Sequence, residues 1–279
     1  MFARIPWLVL LTALLLPGLP ASAADFLPGK SSTVGLAEKS KLRTERIEYH
    51  DGDQLLEGYL AWDTSRLGRR PGVLVVHEWT GINDHTRAQT EKLAKLGYIA
   101  LAVDVYGKGV RPQTPEKAGA EAARYKQDRA LFRSRLLAGY RTLLDQPAVD
   151  PQRMAAVGYC FGGTGVLELA RTGADLKGVV SVHGGLDSPT PSDGQNIKAK
   201  VLLLHGAEDP FVKPADIEAL LAELRGANVD WQMVSYGGAV HAFTNPAAGD
   251  DPSTGAAYDA RADRRSWAAM RQFLEEVLR

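Results

Sequence analysis

The stretch that most constrains this chain is Val157-Gly158-Tyr159-Cys160-Phe161-Gly162-Gly163. An apolar run over residues 154–157 leads into it, and a helix-forming run over residues 162–172 leads out of it. A Gly-x-Cys-x-Gly pattern between a strand and a helix is typical of a nucleophile elbow, a sharp, strained turn that presents one reactive side chain. Larger side chains at the two glycine positions would collide with the crossing strand and helix. The stretch therefore predicts a β-strand, a tight turn at Cys160 and an α-helix.

Cys160 is the only cysteine among the 279 residues, so no internal disulfide can form. A lone cysteine is commonly a small buried hydrophobic residue, and that alternative stays open from the residue alone. The two flanking glycines and the strand–helix context favour a nucleophile.

Strand and helix patterns alternate along the rest of the chain. Residues 42–62 form a hairpin pattern around a turn at residues 50–53. The later patterns predict strands at residues 73–76, 98–103, 154–157, 178–182, 201–204 and 231–235, and helices at 84–96, 114–144 (broken near 127–128), 162–172, 214–224 and 257–278. Such alternation predicts an α/β fold in one domain, residues 42–279, with a mostly parallel central sheet, helices on both faces and an N-terminal antiparallel hairpin.

The N-terminus has the pattern of a secretory signal peptide. Arg4 is followed by an apolar run over residues 7–16 and by the small residues Ala21-Ser22-Ala23. We predict a signal peptide over residues 1–23, a flexible polar segment over 24–41, and a secreted or periplasmic mature protein. A membrane anchor is the alternative, but the apolar run is shorter than a bilayer span requires.

Charge and motif composition exclude several classes of function. The 33 basic and 33 acidic residues give no net charge, so nothing suggests a nucleic-acid partner. No later stretch is apolar enough to span a membrane. His77-Glu78 does not continue into a His-Glu-x-x-His zinc motif, and Gly-x-Gly-x-x-Gly is absent. We therefore expect no metal, no cofactor and a monomer that acts on a small molecule.

Polar residues follow several predicted strands, at the sheet edge where active sites of open parallel sheets gather. Cys160, Asp209 and His241 follow three of them, in the nucleophile–acid–histidine order of α/β-hydrolases. His241 would take the thiol proton, and Asp209 would fix its tautomer. Asp209 could instead be a turn residue and His241 a hydrogen-bonded loop residue, but three elements in the right order favour a triad.

An oxyanion hole requires two main-chain N–H donors. Phe161, just after the nucleophile, supplies one candidate, and Trp79, in the loop after the strand at residues 73–76, supplies the other. Glu78 in the same loop would be a carboxylate that tunes the thiol, with a surface salt bridge as its alternative role. We expect His85 to be peripheral.

Several separated motifs together resemble the dienelactone hydrolase family: Val73-Leu74-Val75-Val76-His77-Glu78-Trp79, Asp104-Val105-Tyr106-Gly107, Gly158-Tyr159-Cys160-Phe161-Gly162-Gly163, His205-Gly206 with Asp209-Pro210-Phe211, and His241-Ala242-Phe243. The resemblance implies an α/β-hydrolase fold and a triad of Cys160, Asp209 and His241. It also implies that Glu78 helps to activate the thiol, which would rest on Glu78 and move to His241 when substrate binds.

One position departs from the family pattern. The dienelactone-cleaving members carry an arginine shortly after the triad histidine that holds the substrate carboxylate, whereas this chain has Asn245 there. Arg124 or Arg129 could serve as a second family arginine, and Tyr106 and Tyr159 are further candidates for substrate contact.

These features predict a hydrolase that cleaves an activated ester, lactone or thioester through a cysteinyl acyl-enzyme. We expect residues 108–127 and 247–255 to form the walls of its substrate site. A non-catalytic exported binding protein on the same scaffold is the alternative. A thiol redox protein is a weaker one, since no resolving cysteine is present.

Overall fold

The fold is built on an eight-stranded β-sheet, seen in a computed structural model that describes residues 41–279. The predicted signal peptide and all but the last residue of the predicted flexible segment lie outside the described residues. The strands are β1 Leu42–Asp51, β2 Gln54–Asp63, β3 Arg70–Val76, β4 Ile99–Val103, β5 Val149–Tyr159, β6 Gly178–Val182, β7 Lys200–Gly206 and β8 Trp231–Tyr236. Their order is β1-β2-β4-β3-β5-β6-β7-β8, with β3 to β8 mutually parallel and the β1–β2 hairpin joined antiparallel to β4.

Helices cover both faces of the sheet: α1 Asp84–Leu96, α2 Pro115–Gln127, α3 Arg129–Leu144, α4 Phe161–Arg171, α5 Pro214–Gly226 and α6 Ala260–Val277. On β3, Leu74 and Val76 belong to the core beneath α2 to α5, while Val73 and Val75 belong to the core beneath α1 and α6. Successive side chains of a strand point to opposite faces, so a strand buried on both faces is apolar throughout. The predicted α/β-hydrolase fold is confirmed.

Capping side chains set the helix boundaries. Asp128 separates α2 from α3, where the sequence predicted a break, and its side chain accepts from the amide of Leu131. Asn83, one residue before the predicted start, caps α1 by accepting from Thr86 N at 2.9 Å. The last helix begins at Ala260 rather than at residue 257, because Asp259 caps the amides that follow it.

Between residues 41 and 279, no helix has the length and apolar character needed to cross a bilayer.

Candidate active site

Cys160 lies on a strained turn between β5 and α4, as predicted. Its φ of 55° and ψ of −115° place it in a region that L-residues rarely adopt. A Cβ atom at Gly158 would lie 1.9 Å from the carbonyl oxygen of Gly162, and one at Gly162 would lie 2.2 Å from that of Val76. Both contacts are with main chain, which cannot easily move, so the turn requires glycine at both positions.

The three predicted triad residues meet at the carboxyl edge of the sheet. Cys160 Sγ lies 3.1 Å from His241 Nε2, and His241 Nδ1 lies 2.8 Å from Asp209 Oδ2. Asp209 follows β7, and its side chain is fully buried and also accepts from the amide of Phe211 at 2.9 Å. Because Nδ1–H donates to the carboxylate, the other ring nitrogen faces the sulfur.

The charges around His241 favour its protonated form. Burial of the ring lowers its pKa, but negative charge on Cys160 and Asp209, with the hydrogen bonds to both, outweighs burial and raises the pKa of His241 to about 10. An imidazolium at neutral pH is the natural partner of a thiolate, the nucleophilic form of cysteine.

Glu78 is a buried carboxylate held by three side chains. Its Oε2 lies 2.8 Å from Asn245 Nδ2, 3.4 Å from Asn83 Nδ2 and 3.4 Å from His85 Nδ1. Burial works against ionisation, yet contacts with His85, Asn83 and Asn245 hold the pKa of Glu78 below its usual range. The carboxylate is therefore negatively charged at neutral pH, inside the same cavity as Cys160.

His85 is buried, which corrects the expectation that it is peripheral. Its side chain is 8% exposed, its Nε2 lies 3.1 Å from the carbonyl oxygen of Thr244, and its ring packs edge-on against Tyr159. The sequence signal was available, because His85 lies in the first turn of a helix that begins directly after the Glu78 loop.

The thiol contacts His241 rather than Glu78. The resemblance implied a thiol that rests on the carboxylate, but within the described residues the carboxylate of Glu78 contacts the side chains of Asn83, His85 and Asn245. Asn245, the residue expected at the position of the family arginine, donates its side-chain amide to Glu78.

The ring of His183 is hydrogen-bonded to the turn that carries Cys160. Its Nδ1 accepts from the amide of Cys160 at 3.1 Å, and its Nε2 lies 2.8 Å from Thr244 Oγ1. The ring is fully buried, and burial holds its pKa well below the ordinary value, so it is a neutral packing residue.

Both predicted oxyanion donors border the cavity beside Cys160. Trp79 and Phe161 line it, and within the described part of the chain neither main-chain amide donates to another main-chain group. The first amides of a helix have no intrahelical acceptor, which leaves that of Phe161 available to a ligand.

The cavity over the thiol has a volume of about 750 Å³ and a largely apolar wall. Ala122 and Ala123 come from α2, Phe211 follows β7, and Ala247 and Ala248 follow the triad histidine. Both segments predicted as walls thus contribute. Among the described residues that line it, none is an arginine. Nor do residues 41–279 contain a cluster of three or more His, Cys, Asp or Glu side chains arranged for a metal ion.

The two tyrosines predicted as substrate contacts lie beneath the site. Tyr106 is 2% exposed and donates to the carbonyl oxygen of Trp79 at 2.9 Å. Tyr159 is 3% exposed, and its ring packs against His85 and His183. The structure gives both a role in holding site elements in place, not in lining the cavity.

The two arginines predicted as substrate contacts also lie outside the cavity lining. Arg124 is on the exposed face of α2 and pairs with Glu121 at 3.8 Å. Arg129 pairs with Asp187 and with the fully buried Glu168. Both guanidinium groups bind carboxylates of the protein.

Comparison with known proteins places this chain in a family. A sequence model of the dienelactone hydrolase family matches residues 56–278. A putative carboxymethylenebutenolidase of Synechocystis is 28% identical over 85% of this chain and 98% of its own. A solved structure described as m3DLH is 43% identical, with a TM-score of 0.83 over 85% of this chain and 99% of its own. A dienelactone hydrolase-like promiscuous phosphotriesterase from metagenomic libraries is 40% identical, with a TM-score of 0.81 over the same shares.

The family match covers most of the described chain, and the two solved structures share the sheet that carries the site. This chain is therefore a hydrolase that belongs to the dienelactone hydrolase family.

Proposed function

We propose that this protein hydrolyses activated carboxylic esters, lactones or thioesters through an acyl-enzyme on Cys160. The observation that carries the proposal is the unbroken chain from Cys160 Sγ to His241 Nε2 at 3.1 Å and from His241 Nδ1 to Asp209 Oδ2 at 2.8 Å. Intact triad residues, together with Glu78, argue against the alternative of a non-catalytic binding protein, which would not require all four.

The first half of the reaction acylates the enzyme. The Cys160 thiolate attacks the carbonyl carbon, and the amides of Trp79 and Phe161 receive the oxyanion. The tetrahedral intermediate collapses, and protonated His241 gives its proton to the leaving alkoxide or thiolate. The products are the free alcohol or thiol and a thioester on Cys160, with His241 now neutral.

The second half releases the acid. Neutral His241 takes a proton from water, whose oxygen attacks the thioester carbon. The same two amides receive the second oxyanion, and the carbon–sulfur bond breaks. The carboxylic acid leaves, and the thiolate again faces protonated His241. Thiolates are good leaving groups, so this step needs no further acid.

The cavity indicates an uncharged, apolar acyl group. Its wall is built largely of alanine and aromatic side chains. Apart from the triad, the charged side chains that line it are Glu78 and Lys126, which are of opposite sign. Asn245 replaces the arginine that would hold a substrate carboxylate. We therefore propose neutral esters as substrates in preference to carboxylate-bearing lactones.

The same lining makes neutral phosphotriesters a second candidate class. A relative that is 40% identical is described as a promiscuous phosphotriesterase. A neutral triester presents no charge to Glu78 and would fit an apolar wall. Attack of the thiolate on phosphorus would break one P–O ester bond and expel an alkoxide or aryloxide, which takes its proton from His241. Cys160 would then carry a phosphoryl group with two remaining ester groups in place of the acyl group, and water activated by neutral His241 would release the phosphodiester.

The test is a panel of p-nitrophenyl acetate and butyrate, a neutral lactone, a thioester and a neutral phosphotriester. Turnover by wild type is compared with that by Cys160→Ala and Cys160→Ser. The mass of each intact protein is then measured by mass spectrometry after rapid quenching of the reaction. We expect a covalent adduct on wild type and loss of turnover in Cys160→Ala. Undiminished hydrolysis by Cys160→Ala would contradict the covalent mechanism, and no hydrolysis by wild type would favour the binding protein.

We further propose that residues 1–23 direct export and are removed. N-terminal sequencing of protein recovered after expression in a Gram-negative host would test this. A mature chain that begins at Ala24 in the periplasm or medium supports the proposal, and an intact Met1 in the cytoplasm contradicts it.

A further inference from the structure

His77 is a fully buried histidine that has no role in the proposed reaction. It is the last residue before the Glu78–Trp79 loop, at the end of β3. Its Nδ1 lies 2.6 Å from the carbonyl oxygen of Glu78, and its Nε2 lies 3.3 Å from the amide nitrogen of Val105. Both ring nitrogens therefore contact main-chain groups, one on each side.

These two contacts determine where the ring carries its proton. The amide of Val105 can only donate, so Nε2 must accept and carries no hydrogen. Nδ1 then bears the single N–H and donates it to the carbonyl of Glu78. Burial lowers the pKa of His77 to about 4, so the ring is neutral and keeps this tautomer at physiological pH.

Anchoring the Glu78 carbonyl also orients the next amide. The Glu78–Trp79 peptide is trans, and in a planar trans peptide the C=O and N–H point in opposite directions. With the carbonyl held toward buried His77, the amide of Trp79 is directed to the other side of the loop. Trp79 lines the cavity together with Glu78 and Cys160, which is the reason for taking that side to be the cavity side.

Other hydrogen bonds hold the Glu78–Trp79 loop in the same orientation. The amide of Gly81 also donates to the Glu78 carbonyl at 3.1 Å, and Tyr106 Oη donates to the Trp79 carbonyl at 2.9 Å. The ring of His77 also lies parallel to that of Phe161, with 5.7 Å between centroids. His77 thus contacts the segments that carry both candidate oxyanion donors.

We propose that His77 is a positioning residue for the oxyanion hole, whose Nδ1–H holds the Glu78–Trp79 peptide so that the Trp79 amide faces the oxyanion formed by attack of Cys160. The inference rests on the proposed function and adds a residue that touches neither substrate nor thiol. Such a residue acts on the transition state, because the negative oxygen exists only there.

The test compares three variants with wild type. His77→Phe and His77→Met keep apolar volume in two shapes but remove the donor. His77→Gln is the conservative variant, since its amide can donate to the Glu78 carbonyl and accept from Val105. Two rates are measured for each: steady-state hydrolysis of p-nitrophenyl acetate, and alkylation of Cys160 by iodoacetamide.

The two rates distinguish a misplaced oxyanion donor from a wider disturbance of the turn that carries Cys160. Alkylation displaces iodide at a tetrahedral carbon and forms no oxyanion, so it reports the thiolate and the elbow alone. Loss of one oxyanion donor lowers kcat by about 10²–10³-fold. We expect kcat to fall by about 10–10²-fold in His77→Phe and His77→Met, because the donor is misplaced rather than removed. We expect KM and the alkylation rate to change less than about threefold, and His77→Gln to recover most of kcat.

Two outcomes would overturn the inference. One is wild-type kcat in folded His77→Phe or His77→Met. The other is an equal fall of hydrolysis and alkylation in all three variants, which would show that the ring merely supports the elbow. An inactive wild type that is still alkylated would overturn the proposed function itself, and the two failures are thereby distinguished.

Discussion

The side-chain amide of Asn245 donates a 2.8 Å hydrogen bond to the carboxylate of Glu78. These residues are 167 positions apart, one in the loop after β3 and the other in the loop that carries the triad histidine. The neutral side chain expected at the position of the family arginine is therefore bound by the protein itself. The cavity consequently offers no guanidinium to a substrate carboxylate within its described lining.

Replacing Asn245 with arginine should alter substrate choice. The guanidinium can pair with Glu78 and still present donors to the cavity, so it should favour a carboxylate-bearing ester over a neutral one by about tenfold. The measurement is the ratio of kcat/KM for a p-nitrophenyl succinate ester with a free carboxylate to that for p-nitrophenyl butyrate. Asn245→Gln, which adds length without charge, should leave this ratio unchanged. An unchanged ratio in Asn245→Arg would show that the substrate does not approach Asn245.

The raised pKa of His241 should make stability fall in alkaline solution. The ordinary value of about 6.5 applies to the unfolded chain, and the folded value is about 10. Its contribution is therefore fully present below about pH 6.5 and is lost as pH rises through about 10. We expect the thermal midpoint of wild type to fall more between pH 7 and 10 than that of His241→Gln. Parallel curves for the two proteins would contradict this.

Alanine at Gly162 should prevent folding or cost more than about 4 kcal/mol. Its Cβ would lie 2.2 Å from the carbonyl oxygen of Val76, and neither main-chain segment can move without disrupting β3 or α4. Gly226 is the matched control, since it lies in α5 with nothing within 4 Å of a Cβ. Gly226→Ala should be neutral or stabilise by about 0.5–1 kcal/mol. Urea unfolding measures both, and equal effects would contradict the elbow argument.

The carboxylate of Glu168 should be important for stability but not for chemistry. It is fully buried and contacts Arg129, Arg133 and Arg171. Glu168→Gln removes the one buried charge that these three guanidinium groups share, while each keeps a single other carboxylate partner. We therefore expect a loss of about 3 kcal/mol in urea unfolding.

A matched control and a kinetic readout complete that test. Glu276 forms an exposed pair with Lys200, and Glu276→Gln should cost less than about 1 kcal/mol. The folded fraction of Glu168→Gln should keep wild-type KM, since Arg129 is bound within this cluster. A large rise in KM would instead indicate that Arg129 contacts the substrate.

Local patterns predicted the elements of this protein well. Apolar runs predicted the buried strands. The break between two helices at residues 127–128 was also predicted, because Asp128 caps the second helix through its own side chain. Such signals are carried by residues within a few positions of one another, which is why they can be read from one sequence.

The contacts of individual side chains were predicted less well. His85 was expected at the periphery and is buried against Glu78, while Arg129 was expected at the substrate and pairs with Asp187 and Glu168. In each case the helix that carries the residue was predicted and the surroundings of its side chain were not. Direction depends on which distant element packs against a helix, and spacing within the helix does not carry that information.

By itself, the sequence determined the strained turn at Cys160, the order of the triad residues and the alternation that forms a parallel sheet. Only the tertiary structure decided that Asn245 binds Glu78 and that His77 Nε2 accepts from the amide of Val105. The physical reason is separation along the chain: a turn or a strand depends on neighbouring residues, whereas these contacts depend on how loops from different strands meet at one edge of the sheet.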